Sequence, residues 1–109
     1  MEEAITAYQR ALRLDPNNAK AHNNLGNALY AQGKLEEAIA AYQEALQIDP
    51  NYANAHNNLG LALYGQGKLE QAIAELEIAV RLDPSSSLFR DNLEIYRNKK
   101  KGFWGRLFG

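Results

Sequence analysis

Asn24, Asn58 and Asn92 stand 34 residues apart, and Asn23, Asn27 and Asn57 lie beside the first two of them. A carboxamide is a donor and an acceptor at once, so it can pair with the N–H and C=O of a peptide unit without reading its side chains. His22 and His56 repeat at the same interval. Two imidazoles do not complete a metal site, and the chain has no cysteine and no nearby carboxylate pair to add to them. No Ser/His/Asp set, glycine-rich phosphate loop or paired-acid pocket is present either. The chemistry on offer is recognition; neither enzymatic activity nor a cofactor is expected.

The spacing of these residues belongs to a wider repetition. Residues 19–52 and 53–86 agree at 21 of 34 positions without a gap. Units of this length with two helical patterns each bury their apolar faces by stacking on neighbours, which is the arrangement of a solenoid. Apolar residues recur at helical spacing through Ala21, Leu25, Ala28 and Leu29, then through Leu35, Ala38, Ile39, Tyr42, Ala45 and Leu46. Six helices are expected, near residues 2–14, 19–32, 35–48, 53–66, 69–82 and 86–100. Gly33 and Gly67 fall just past helix ends, and Asp-Pro at 15/16, 49/50 and 83/84 stops a helix. Gly26 and Gly60 fall inside helices, where each costs about 1 kcal/mol relative to alanine. A close neighbour at those points would account for them.

The Leu-Gly pairs Leu25-Gly26 and Leu59-Gly60, the turn glycines Gly33 and Gly67, the packing residues Ala38, Tyr42, Ala45 and Ala72, Leu76, Ala79, and the prolines Pro16, Pro50 and Pro84 are in register. This pattern resembles the tetratricopeptide repeat family over residues 1 to about 101. The resemblance implies an all-α superhelical solenoid of antiparallel helix pairs that acts as a protein-binding scaffold. The divisions are a half repeat at 1–18, full repeats at 19–52 and 53–86, a capping helix at 87–101, and a basic and aromatic tail at 102–109.

In that family the first helix of each repeat lines the concave face. The resemblance therefore places Asn23, Asn24, Asn27, Tyr30, Asn57, Asn58, Leu61, Tyr64 and Asn92 in a peptide-binding groove. The recurring amide looks like the asparagine ladder of O-linked N-acetylglucosamine transferase repeat domains, which holds the backbone of an extended peptide. Helices pack 8–10 Å apart and a strand rises about 3.3 Å per residue, so one ladder step spans roughly three ligand residues. The alternative is a groove whose true contacts lie elsewhere. A second family pattern, the carboxylate clamp that grips chaperone tails, needs two asparagines and three cations. Asn27 and Asn58 supply the amides, but Asn23, Leu88 and Asn92 stand where cations are wanted, so that ligand is not expected.

The net charge of −1 conceals an asymmetry. Residues 1–86 carry six Lys/Arg against eleven Asp/Glu, and residues 87–109 carry six against two. An acidic body argues against nucleic acid along the solenoid. The absence of cysteine fits a reducing, cytoplasmic setting, and MEEAITAYQR is no secretory signal. The chain opens on a second helix without its first, so Ala4, Ile5, Tyr8 and Leu12 would expose apolar surface, and a fragment of a longer array is expected. Glu94 replaces the repeat glycine in the last helix, which Arg90, Asp91, Arg97 and Lys99 make polar enough to be a cap. The two unmatched helices could also join copies head to tail as a homo-oligomer. Phe103, Trp104, Leu107 and Phe108 lie among cations in the tail. Three roles stand open for them: folding back on the last helix, docking on a partner or another copy, and touching an anionic membrane. Gly102, Gly105 and Gly109 argue against a stable helix there.

Overall fold

In a computed structural model of the chain, the backbone of residues 2–108 and the side chains of residues 3–102 are described. Among these residues six helices follow one another, with no strand: α1 (Glu2–Leu14), α2 (Ala19–Ala31), α3 (Leu35–Ile48), α4 (Ala53–Gly65), α5 (Leu69–Leu82) and α6 (Ser87–Phe108). The molecule measures 54 × 27 × 20 Å. Each helix packs on the next in the chain, and α2 also touches α4. The fold is therefore an all-α solenoid.

Local chemistry sets the helix ends. Asn18 Oδ1 accepts the Ala21 N–H at 3.0 Å, and Ser86 Oγ accepts the Phe89 N–H at 3.2 Å, so each caps the helix that follows. Gly33 and Gly67 turn the chain with φ of +78° and +81°. Around Gly33, the Lys34 N–H reaches the Leu29 carbonyl at 3.0 Å and the Gly33 N–H reaches Tyr30 at 2.9 Å. Lys68 and Gly67 make the same two bonds, to Leu63 and Tyr64. A left-handed residue lets the last carbonyls of the helix be satisfied while the chain reverses.

The core runs along the seam between helices. Ala38, Ala45, Ala72 and Ala79 are fully buried, together with Tyr42 and Leu76 at matching positions of the two repeats. The interior glycines answer to these large residues. A Cβ on Gly60 would meet the Ala72 carbonyl oxygen at 3.1 Å and Leu76 Cγ at 3.2 Å, whereas Gly26 faces the Tyr42 ring.

The ends differ from the interior. On α1, Ile5 is buried against α2, contrary to the apolar exposure expected of it, but Ala4, Tyr8, Ala11 and Leu12 are only half-buried. Their counterparts Ala38, Tyr42 and Ala45 on α3 are buried, Tyr42 against Gly26 and Asn27 of α2. α6 buries Phe89, Leu93 and Tyr96 and exposes Arg90, Asp91, Glu94 and Lys99. It runs eight residues past the expected end at residue 100 and carries Gly102 and Gly105 inside it. Glycine propensity is a weak prior, because extending a formed helix adds a hydrogen bond for each residue fixed.

Candidate functional site

α2, α4 and α6 stand side by side, and their asparagines meet across the two seams. Asn58 Nδ2 donates to Asn23 Oδ1 at 3.0 Å, and Asn92 Nδ2 donates to Asn57 Oδ1 at 3.0 Å. Two longer contacts join these pairs into one chain: Asn57 Nδ2 to Asn58 Oδ1 at 3.5 Å and Asn23 Nδ2 to the Tyr52 hydroxyl at 3.4 Å. The bonds run in one direction, Asn92 to Asn57 to Asn58 to Asn23 to Tyr52. Every step between helices is the fifth residue of one repeat accepting from the sixth residue of the next.

This geometry divides the expected site residues into two groups. Asn23 and Asn57, expected to line the groove, are buried, with both amide atoms engaged by neighbouring side chains. A buried amide left unpaired would be costly, and the neighbouring asparagines supply its partners. Asn24, Asn58 and Asn92 are half-buried and border open space. Among the described residues, Asn58 and Asn92 each keep one amide hydrogen uncommitted, and the Asn92 oxygen has no hydrogen-bond partner. The exposed Asn27 accepts the Tyr42 hydroxyl at 2.7 Å through Oδ1, which leaves its Nδ2 outward.

Aromatic rings border the amides one to two turns further along the helices. Tyr64 stacks on Tyr96 with centroids 4.4 Å apart and planes 19° from parallel, and Lys99 Nζ lies 5.5 Å from the centre of the Tyr64 ring. Tyr30 is 40% exposed and Leu61 is half-buried. Burial, with Tyr30 and Tyr64 beside it, pushes the Tyr96 phenol up to about 12. Burial, with Tyr30 again adding to it, drives the Tyr42 phenol higher still. Removing water from these rings disfavours the phenolate, and both stay neutral donors across ordinary pH.

The sequence placed the histidines between helices without naming their partners. His56 is buried, with Nδ1 2.8 Å from Glu75 Oε2 and Nε2 2.8 Å from the Pro50 carbonyl oxygen. Both partners are acceptors, so the pair is satisfied in full when both ring nitrogens carry protons. His22 makes one such contact, Nε2 to the Pro16 carbonyl at 3.0 Å. Its missing partner has a simple cause, because Ala41 occupies the position that Glu75 holds in the next repeat. Each histidine thus ties a helix to the Asp-Pro turn before it. The expected tail contacts of Phe103, Trp104, Leu107 and Phe108 lie outside the described side chains.

Comparison with known proteins agrees with the architecture. A family model described as TPR repeat matches residues 1–33 and 26–67, and one described as tetratricopeptide repeat matches residues 53–86. Among solved structures, the first TPR of Spaghetti (RPAP3) bound to HSP90 peptide SRMEEVD is similar, with a TM-score of 0.88 at 24% identity. That likeness covers 92% of this chain and 79% of the other and concerns the fold. No curated protein matches.

Proposed function

Because the chain belongs to the tetratricopeptide repeat family, we propose that it is a non-catalytic scaffold holding an extended peptide segment of a partner protein against α2, α4 and α6. The observation that carries this reading is the directed amide chain. Asn23 and Asn57 anchor the amides of Asn58 and Asn92 by hydrogen bonds of 3.0 Å, so those amides meet a ligand already oriented. Orientation in advance lowers the entropy lost on binding. Asn24, Asn58 and Asn92 are the rungs; Asn23 positions Asn58, and Asn57 positions Asn92. Tyr30, Leu61 and Tyr64 offer apolar contact beside them. Each neutral hydrogen bond nets about 0.5–1.5 kcal/mol, and roughly six of them, less the cost of ordering a peptide, correspond to micromolar affinity.

The similar structure holds an HSP90 peptide ending in Asp. We do not assign that ligand to this chain, because Asn23 is buried and Leu88 and Asn92 supply no cation where the family's clamp has them. The half-buried Tyr8 favours a second reading, in which α1 docks a helix of another copy. Against α6 that contact would bury Arg90, Glu94 and Arg97, which stand where the full repeats have His, Gly and Leu. A mass independent of concentration in light scattering would exclude it. Among the described residues no helix is long and apolar enough to cross a membrane.

Panning a displayed library of seven-residue peptides tests the groove. Enrichment on the parent chain that disappears on a still-helical variant with Asn24, Asn58 and Asn92 all changed to alanine supports the reading. Equal enrichment on both would place binding elsewhere.

A further inference from the structure

The last helix breaks the chemical pattern of the groove. The thirteenth residue of the repeat is Ala31 on α2 and Gly65 on α4, but Lys99 on α6. Lys99 is exposed and its ammonium sits over the Tyr64 ring, which is itself stacked on Tyr96. A ring face holds a cation in place without using its N–H groups on an oxygen acceptor. Two neighbouring cations are occupied elsewhere. Arg97 pairs with Glu77 at 2.9 Å and Lys100 with Glu70 at 3.2 Å, both toward α5, whereas Lys99 has no carboxylate partner among the described residues.

Apolar surface lies on the same side. Leu88 is 58% exposed and Ile95 is 50% exposed, at the positions that Asn54 and Leu61 occupy on α4. Ile95 precedes Lys99 by one helical turn, about 6 Å, which two nearby side chains of an extended segment can span. Asp91 is exposed eight residues before Lys99, roughly 12 Å along the axis. It repels a carboxylate from the other end of this helix and so fixes where one can sit.

We infer that the α4–α6 end of the groove selects a peptide in which an aspartate or glutamate lies within two positions of an aliphatic residue. The carboxylate binds Lys99 above the Tyr64–Tyr96 stack, and the aliphatic side chain rests on Ile95 and Leu61. The assignment rests on the groove reading and adds the ligand's side-chain chemistry to it.

The test uses the same seven-residue library against the parent, Lys99→Glu, Ile95→Asn and Lys101→Glu. All three positions are exposed, and circular dichroism checks that helicity is retained. Lys101→Glu is the control for bulk charge, since Lys101 lines the cleft with Ile73 and Arg97 on the α5 side. Peptides enriched on the parent carry Asp or Glu beside an aliphatic residue. In anisotropy titrations near physiological salt, the leading acidic peptide binds Lys99→Glu about tenfold more weakly, and Lys101→Glu changes its binding less than about twofold. Ile95→Asn removes the aliphatic preference, and changing the peptide's acid to its amide removes the difference between parent and Lys99→Glu. Enriched peptides with no acidic preference, or equal losses in Lys99→Glu and Lys101→Glu, overturn this inference and leave the groove standing. No enrichment on the parent overturns both.

Discussion

The Tyr42 ring fills the space beside Gly26, and a Cβ added to that glycine would lie 2.5 Å from Tyr42 Cε1. The ring cannot easily move aside, since Tyr42 is 1% exposed and its hydroxyl is bound to Asn27. Overpacking costs about 1–3 kcal/mol, and alanine's better helix propensity offsets about 1 kcal/mol. Gly26→Ala should therefore lower stability by up to about 2 kcal/mol in urea unfolding. A more stable variant would mean that the ring repacks without strain.

The two classes of asparagine should separate in paired measurements. Asn57→Ala removes a buried amide and leaves Asn92 Nδ2 and Asn58 Oδ1 without their inner partner, at about 1–3 kcal/mol of stability. Asn24→Ala should change stability by less than about 0.5 kcal/mol and weaken peptide binding. Equal stability losses would remove the distinction between anchoring and presenting amides.

His56 and His22 should differ for the reason that Glu75 and Ala41 differ. His56→Ala removes two contacts of 2.8 Å and leaves a partly buried carboxylate without its partner, which should cost about 2–4 kcal/mol. His22→Ala removes one contact at 3.0 Å to a carbonyl and should cost about 1 kcal/mol. The double variant His56→Ala with Glu75→Ala should recover part of the larger loss, as a double-mutant cycle would show.

Alkaline titration should reveal two late phenols, Tyr42 and Tyr96. The Tyr96 phenol is raised from its ordinary 10 to about 12, so between those values the folded chain keeps a proton that the unfolded chain has released. Its contribution to stability is whole below about pH 10 and falls as pH rises through 12. Absorbance near 295 nm should show Tyr42 and Tyr96 ionising above the ordinary phenol value. Replacement of Tyr96 by phenylalanine should remove one late step. Ionisation of Tyr42 and Tyr96 near pH 10 in the folded protein would contradict the burial of these two rings.

How far the sequence could be read depended on whether one repeat sufficed. Helix ends follow from local signals: the turn at Gly33, the Asp-Pro stop and the glycine opposite Tyr42 each act within a repeat. α3 and α5 accordingly span the expected 35–48 and 69–82. α6 runs longer than expected because helix propagation outweighs the glycine penalty at Gly102 and Gly105. The burial of Asn23 and Asn57 was not local, since their partners Asn58 and Asn92 lie 35 residues on. A signal was nevertheless present. The fifth residue is asparagine on α2 and α4, where a following first helix donates to it, and becomes the exposed Asp91 on α6, to which no helix donates among the described residues.

That pairing rule gives the stack a grammar. Each repeat brings an acceptor at its fifth residue and a donor at its sixth, so a unit copied from residues 53–86 and spliced in behind itself would arrive with both ends of the sentence intact. The chain can in principle be lengthened or shortened by whole repeats while every buried amide stays answered. Exchange of a single helix between repeats of different families would strand one.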